Sequence, residues 1–82
     1  MRAFLDAFDA LPEGRFTGRA NGRRYVVIRS VDGPVQKLLA EELGGNDYIS
    51  LNLYRLRSGP RLKPCEMPER KVVDFVTALE VD

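Results

Sequence analysis

Two stretches of the sequence carry side chains with chemistry to offer. The first is LKPCEMPE, residues 62–69, which holds the only cysteine of the chain, Cys65. A thiol becomes a nucleophile or redox centre when a helix N-terminus or nearby cations stabilise its thiolate. Lys63 is close in sequence and Pro68 is suited to open a helix three residues on, while Glu66 acts in the opposite sense. One reading is therefore a small thiol or redox protein centred on Cys65, although no second cysteine exists to resolve an oxidised one. The other reading is a small hydrophobe that fills space.

The second stretch is DYISLNLYRL, residues 47–56, in which Tyr48, Ser50, Asn52 and Tyr54 alternate with Ile49, Leu51 and Leu53. Period two is a half-buried strand, so the tyrosines, the serine and the asparagine share its outer face. Arg55, Arg57, Arg24 and Arg29 are expected at the margins of that face. Tyrosines among arginines stack bases and neutralise phosphates on single-strand-binding sheets, and they anchor protein interfaces as well. The expected ligand is a protein partner or a single-stranded nucleic acid. Ordinary solvation of a small sheet is the alternative for all of these polar groups.

Composition removes much enzyme chemistry. With no histidine and one cysteine among 82 residues, zinc sites built from Cys and His are excluded, as are Ser-His-Asp and Cys-His nucleophile systems. The chain is read as a non-enzymatic binding module with no metal and no cofactor. Its net charge is only +1, but the basic groups are concentrated: nine of the thirteen lie in residues 14–31 and 48–63, which contain no acid. Gly14, Gly18 and Gly22 recur every fourth residue without the Gly-Lys-Ser/Thr of a phosphate loop, and are read as hairpin glycines.

These side chains need a frame, and 82 residues supply one domain, 1–82. Phe4, Phe8 and Leu11 mark an amphipathic helix over residues 1–11. Two strands follow, 15–20 and 23–31, around Asn21-Gly22, a strong hairpin signal. Either apolar set of the second strand, Tyr25, Val27 and Val31 or Val26 and Ile28, can face inward. Asp32-Gly33-Pro34 reads as the cap and first turn of a second helix with Val35, Leu38, Leu39 and Leu43 inward, stopped by Gly44-Gly45. Glu41 and Glu42 would then occupy its last turn, where the helix dipole disfavours acids. Strands over 47–57 and 61–67 and a helix opened by Pro68 complete an α+β order, αββαββα. Pro64 cannot donate to a ladder, so the fourth strand is expected at an edge or bulged there. The expected architecture is a four-stranded antiparallel sheet with helices packed mainly on one face, as a monomer or weak homodimer joined by sheet edges or the apolar face of the first helix.

Glu41-Glu42-Leu43-Gly44-Gly45, then Tyr48 to Leu56, then Leu62-Lys63-Pro64-Cys65-Glu66-Met67-Pro68 resemble a family of short bacterial proteins without an established function. The resemblance extends over most of the chain. Some members carry the label peptide methionine sulfoxide reductase, which would imply thiol chemistry at Cys65. The Gly-Cys-Phe-Trp motif and the paired Cys-x-x-Cys ligands of those reductases have no counterpart in a chain with no Trp and one Cys. No apolar run approaches the ~20 residues of a membrane span, and the N-terminus lacks the apolar centre of a signal peptide, so the cytoplasm is the expected setting.

Overall fold

The computed structural model describes all of residues 1–82. Its elements in chain order are α1 (Arg2–Asp9), β1 (Gly14–Ala20), β2 (Arg23–Asp32), β3 (Val35–Glu42), β4 (Tyr48–Leu56), β5 (Gly59–Pro64), α2 (Glu69–Ala78) and β6 (Glu80–Val81). The strands form one six-stranded antiparallel sheet in the order β5-β4-β3-β2-β1-β6. No helix is long and apolar enough to cross a membrane.

This overturns the αββαββα expectation, and the reason lies in residues 32–43. Asp32-Gly33-Pro34 does not cap a helix. Gly33 has φ +58° and is followed by Pro34, with Asp32 paired to Val35. A left-handed glycine at the first central position is what a type II′ hairpin turn requires, and proline suits the second. The chain therefore folds back as β3, and Gln36, Leu38, Ala40 and Glu42 alternate with outward Lys37, Leu39 and Glu41. Good helix formers adopt a strand here because pairing with β2 on one side and β4 on the other outweighs local propensity. Glu41 and Glu42 consequently meet no helix dipole. The second addition to the sheet is β6, two residues that pair with Gly18 and Arg19 at the β1 edge. Asn21 and Gly22, at φ 53° and 78°, make the expected turn between β1 and β2.

Both helices lie over the same face of the sheet. Phe4 and Phe8, one turn apart on α1, stack with ring centroids 5.6 Å apart. Val72, Phe75 and Val76 of α2 join them against Val27, Leu38, Ala40, Ile49, Leu51 and Leu53 in a single buried cluster. Phe4 and Phe8 of α1 are thus consumed by the core and are not free for association. Gly18 is fitted to its place: a Cβ there would lie 2.9 Å from the Glu80 carbonyl oxygen and from Leu79 Cδ1.

The β5 edge is blunted by its prolines. Cys65 donates its backbone N–H to Ser50, so by antiparallel alternation Lys63 and Arg61 also face β4, and positions 60, 62 and 64 point outward. Prolines at 60 and 64 remove two of those three outward donors without breaking a ladder bond.

Candidate functional site

The register divides the expected site residues between two faces. Ser50, Asn52 and Tyr54 lie on the helix-free face of β4, and Arg24 lies on the same face of β2, whereas Tyr48, at the start of β4, has its ring 5.9 Å from Lys71 Nζ of α2. Arg57 is exposed in the turn between β4 and β5. Arg29 and Arg55 are on the opposite, helix-covered face. Arg29 is only 8% exposed, donates to the Leu11 carbonyl oxygen at 3.2 Å and sits 4.9 Å from the centre of the Phe8 ring. Arg55 holds Asp9 of α1 in an ion pair. Neither can contribute to a binding surface on the open side. The inward set of β2 proves to be Tyr25 and Val27 together with Arg29, which turns Val26 and Ile28 outward.

That outward turn builds a feature absent from the sequence reading. Ile28 pairs with Leu39 across the two central strands, and both are exposed, at 43% and 40%. Val26 and Val35, half-buried, flank them on the same face. Exposed aliphatic side chains at the centre of a sheet are more informative than an isolated exposed leucine, because neighbours on central strands form a continuous patch. Around the patch stand Arg15, Arg19, Arg24, Lys37, Arg61 and Lys63, interleaved with Asp32, Glu41, Glu80 and Asp82. Arg24 is held by Asp82 at 2.8 Å, and Thr17 donates to the same carboxylate oxygen at 2.7 Å.

A second polar constellation occupies the end of the sheet where α2 meets the β3–β4 loop. Tyr25, buried at 3% exposure, donates its hydroxyl to Asp47 Oδ2 at 2.7 Å, and Lys71 Nζ donates to Asp47 Oδ1 at 2.8 Å. The Asp47 backbone N–H reaches Glu42 Oε1 at 3.2 Å, and Arg23 Nη1 lies 3.9 Å from both carboxylates. The Tyr25 ring meets Phe75 edge-on, with centroids 4.8 Å apart. Beside it opens a depression of about 210 Å³, lined among others by Asn21, Lys71 and Asp74.

Burial, and then the Asp47 carboxylate, push the Tyr25 hydroxyl up to about 12. Lys71, and then Tyr25, hold Asp47 below the ordinary carboxylate range against the opposing effect of burial. Each shift fixes its group in the form its partner needs: a neutral donor on Tyr25, a charged acceptor on Asp47. A tyrosine that keeps its proton and a carboxylate already engaged by two side-chain donors are poor acid–base catalysts. The constellation acts as a clasp that fastens the loop to α2. It is invisible in sequence because its members are 22 and 24 residues apart.

Cys65 is half-buried and lies outside the buried cluster. No three carboxylate or thiol groups converge to ligate an ion. Compared with known proteins, the chain matches no family model, no curated sequence and no solved structure.

Proposed function

We propose that the chain is a non-enzymatic module that binds a protein partner through the helix-free face of its sheet. The observation that carries this reading is the exposed Ile28–Leu39 pair at the centre of that face. An aliphatic centre ringed by polar and tyrosine side chains has the anatomy of a protein interface, with an apolar core and a polar rim. Single-stranded nucleic acid is the less favoured ligand. Base stacking needs aromatic platforms along the groove, and here the two tyrosines stand at opposite ends of β4. Four carboxylates share the face with six cations, two of the expected arginines are engaged elsewhere, and a polyanion would meet Asp32, Glu41, Glu80 and Asp82. The reading fits a cytoplasmic setting, where a lone thiol stays reduced.

Site-specific photo-crosslinking tests it. A photoreactive residue in place of Leu39 is expected to yield polypeptide adducts in cells. The same residue in place of Arg70, which is exposed on α2, is expected to yield none. Adducts to nucleic acid from position 39, or no adducts there, overturn the reading.

A further inference from the structure

The charges on the two central strands are arranged as a palindrome of opposite signs. On the open face of β3 the order is Val35, Lys37, Leu39, Glu41, so that a cation and an anion stand two residues either side of Leu39. On β2 the order is Arg24, Val26, Ile28, Ser30, Asp32, with a cation and an anion four residues either side of Ile28. Ile28 and Leu39 share one rung of the ladder, so both patterns have the same centre. Lys37, Glu41 and Asp32 make no ion pair within the chain, whereas Arg24 is held by Asp82.

We propose that the partner of this face is a second copy of the same chain, packed sheet on sheet about a twofold axis that runs perpendicular to the strands through the Ile28–Leu39 rung. The proposal rests on the binding face described above and names its occupant. A twofold interface brings one patch onto itself, so each residue meets its image across the axis. Leu39 then packs on Leu39 of the second copy, and Ile28 on Ile28. Lys37 comes over Glu41 of the other copy and Arg24 over Asp32, each pair occurring twice.

Strands of the two sheets run nearly aligned, within the ~30° that sheet twist imposes on such sandwiches. Twist displaces outer residues most, so the register falls chiefly on Lys37 and Glu41, the pair nearest the axis. Arg15 shares the central rung but belongs to β1, toward the margin, where its long stem lets the guanidinium reach water. Five full strands ~4.8 Å apart and about seven residues long at ~3.4 Å each present roughly 570 Å² in projection. Corrugation by side chains brings the accessible area toward the ~800 Å² per partner of a standard interface. Other twofold axes in the plane set charge against neutral groups: one parallel to the strands would place Lys37 over Ser30 and Glu41 over Val26.

Sedimentation equilibrium of the full chain tests the proposal. Wild type is expected to approach twice 9.3 kDa as its concentration is raised toward millimolar. Lys37→Glu, at an exposed position, sets like charges opposite each other twice and is expected to raise the dissociation constant by roughly tenfold or more. Glu41→Lys is expected to do the same, and K37E/E41K to return the constant to near wild type. Circular dichroism of each variant verifies that the fold is kept. A wild type that stays monomeric at millimolar concentration overturns the proposal, as does a double variant no better than the singles. If the chain is monomeric while position 39 crosslinks to a different polypeptide, the self-pairing fails and the binding face stands. If position 39 also yields no adduct, both fail.

Discussion

Removing one oxygen atom from Tyr25 is expected to weaken the protein at neutral pH and to strengthen it, relative to wild type, in alkali. In Tyr25→Phe the donor to Asp47 at 2.7 Å is lost while the ring and its contact with Phe75 remain. A hydrogen bond to a charged acceptor is worth about 1.5–3 kcal/mol, and because Asp47 keeps Lys71 and has access to water, a cost of about 1–2 kcal/mol is expected at pH 7. The alkaline limb runs the other way. An unfolded tyrosine releases its proton near pH 10, whereas Tyr25 in the folded protein holds it to about 12. A folded pKa above the unfolded one contributes stability that is complete below pH 10 and is lost as the pH rises through 12. Linkage gives a loss of about 1.4 kcal/mol by pH 11 and about 2.3 by pH 12, from a full value near 2.7. Phenylalanine has no such proton. Urea unfolding followed by far-ultraviolet circular dichroism from pH 7 to 12 is therefore expected to give two curves that converge and cross between pH 10.5 and 12, or thereabouts, as roughly 1–2 kcal/mol is made up. The two proteins share every other side chain, so the difference between their curves reads position 25. Parallel loss of stability in the two proteins over that range would refute the buried, proton-retaining role assigned to Tyr25.

Two further substitutions probe the frame. Gly18→Ala would force a methyl group to 2.9 Å from the Glu80 carbonyl oxygen. It is expected to cost about 1–3 kcal/mol and to release β6, read as faster exchange of the Asp82 amide that now donates to Thr17. Glu66 is a non-glycine residue at φ 58°, in the link from β5 to α2. Glu66→Gly is expected to raise the urea midpoint, because relief of about 1–2 kcal/mol of left-handed strain exceeds the ~0.4–1 kcal/mol gained by a freer unfolded chain. An unchanged or lower midpoint would mean that the Glu66 side chain supports the turn.

The sequence was legible where one signal had one meaning. Asn21-Gly22 admits little but a tight hairpin, and the alternation from Tyr48 to Tyr54 placed Ile49, Leu51 and Leu53 inward, where they are buried. Residues 32–43 carried two meanings. Gly-Pro serves a type II′ turn as well as the start of a helix, and Val35, Leu38, Leu39 and Leu43 fit a helical stripe as readily as part of a strand. The conflict at Glu41 and Glu42, unfavourable at a helix C-terminus, was a sign against the helix. The misreading hid the exposed Ile28–Leu39 pair as well, since a helix would have buried Leu39. Arg29 was misplaced for a different reason. Both sides of β2 are apolar, and an arginine can lie in a core when a carbonyl oxygen and an aromatic ring receive it. β6 is too short to leave any periodic trace.

The prolines of β5 bear on how far assembly can go. A sheet that offers lateral donors can recruit strand after strand, and the number of chains it gathers is set only by supply. Here one border lacks two of its three outward donors and the other ends in a two-residue strand. In the twofold pairing proposed above, union through the broad side would use up the surface that makes it and so would stop at two chains. Prolines at one border and the short β6 at the other leave less lateral template for recruiting further strands.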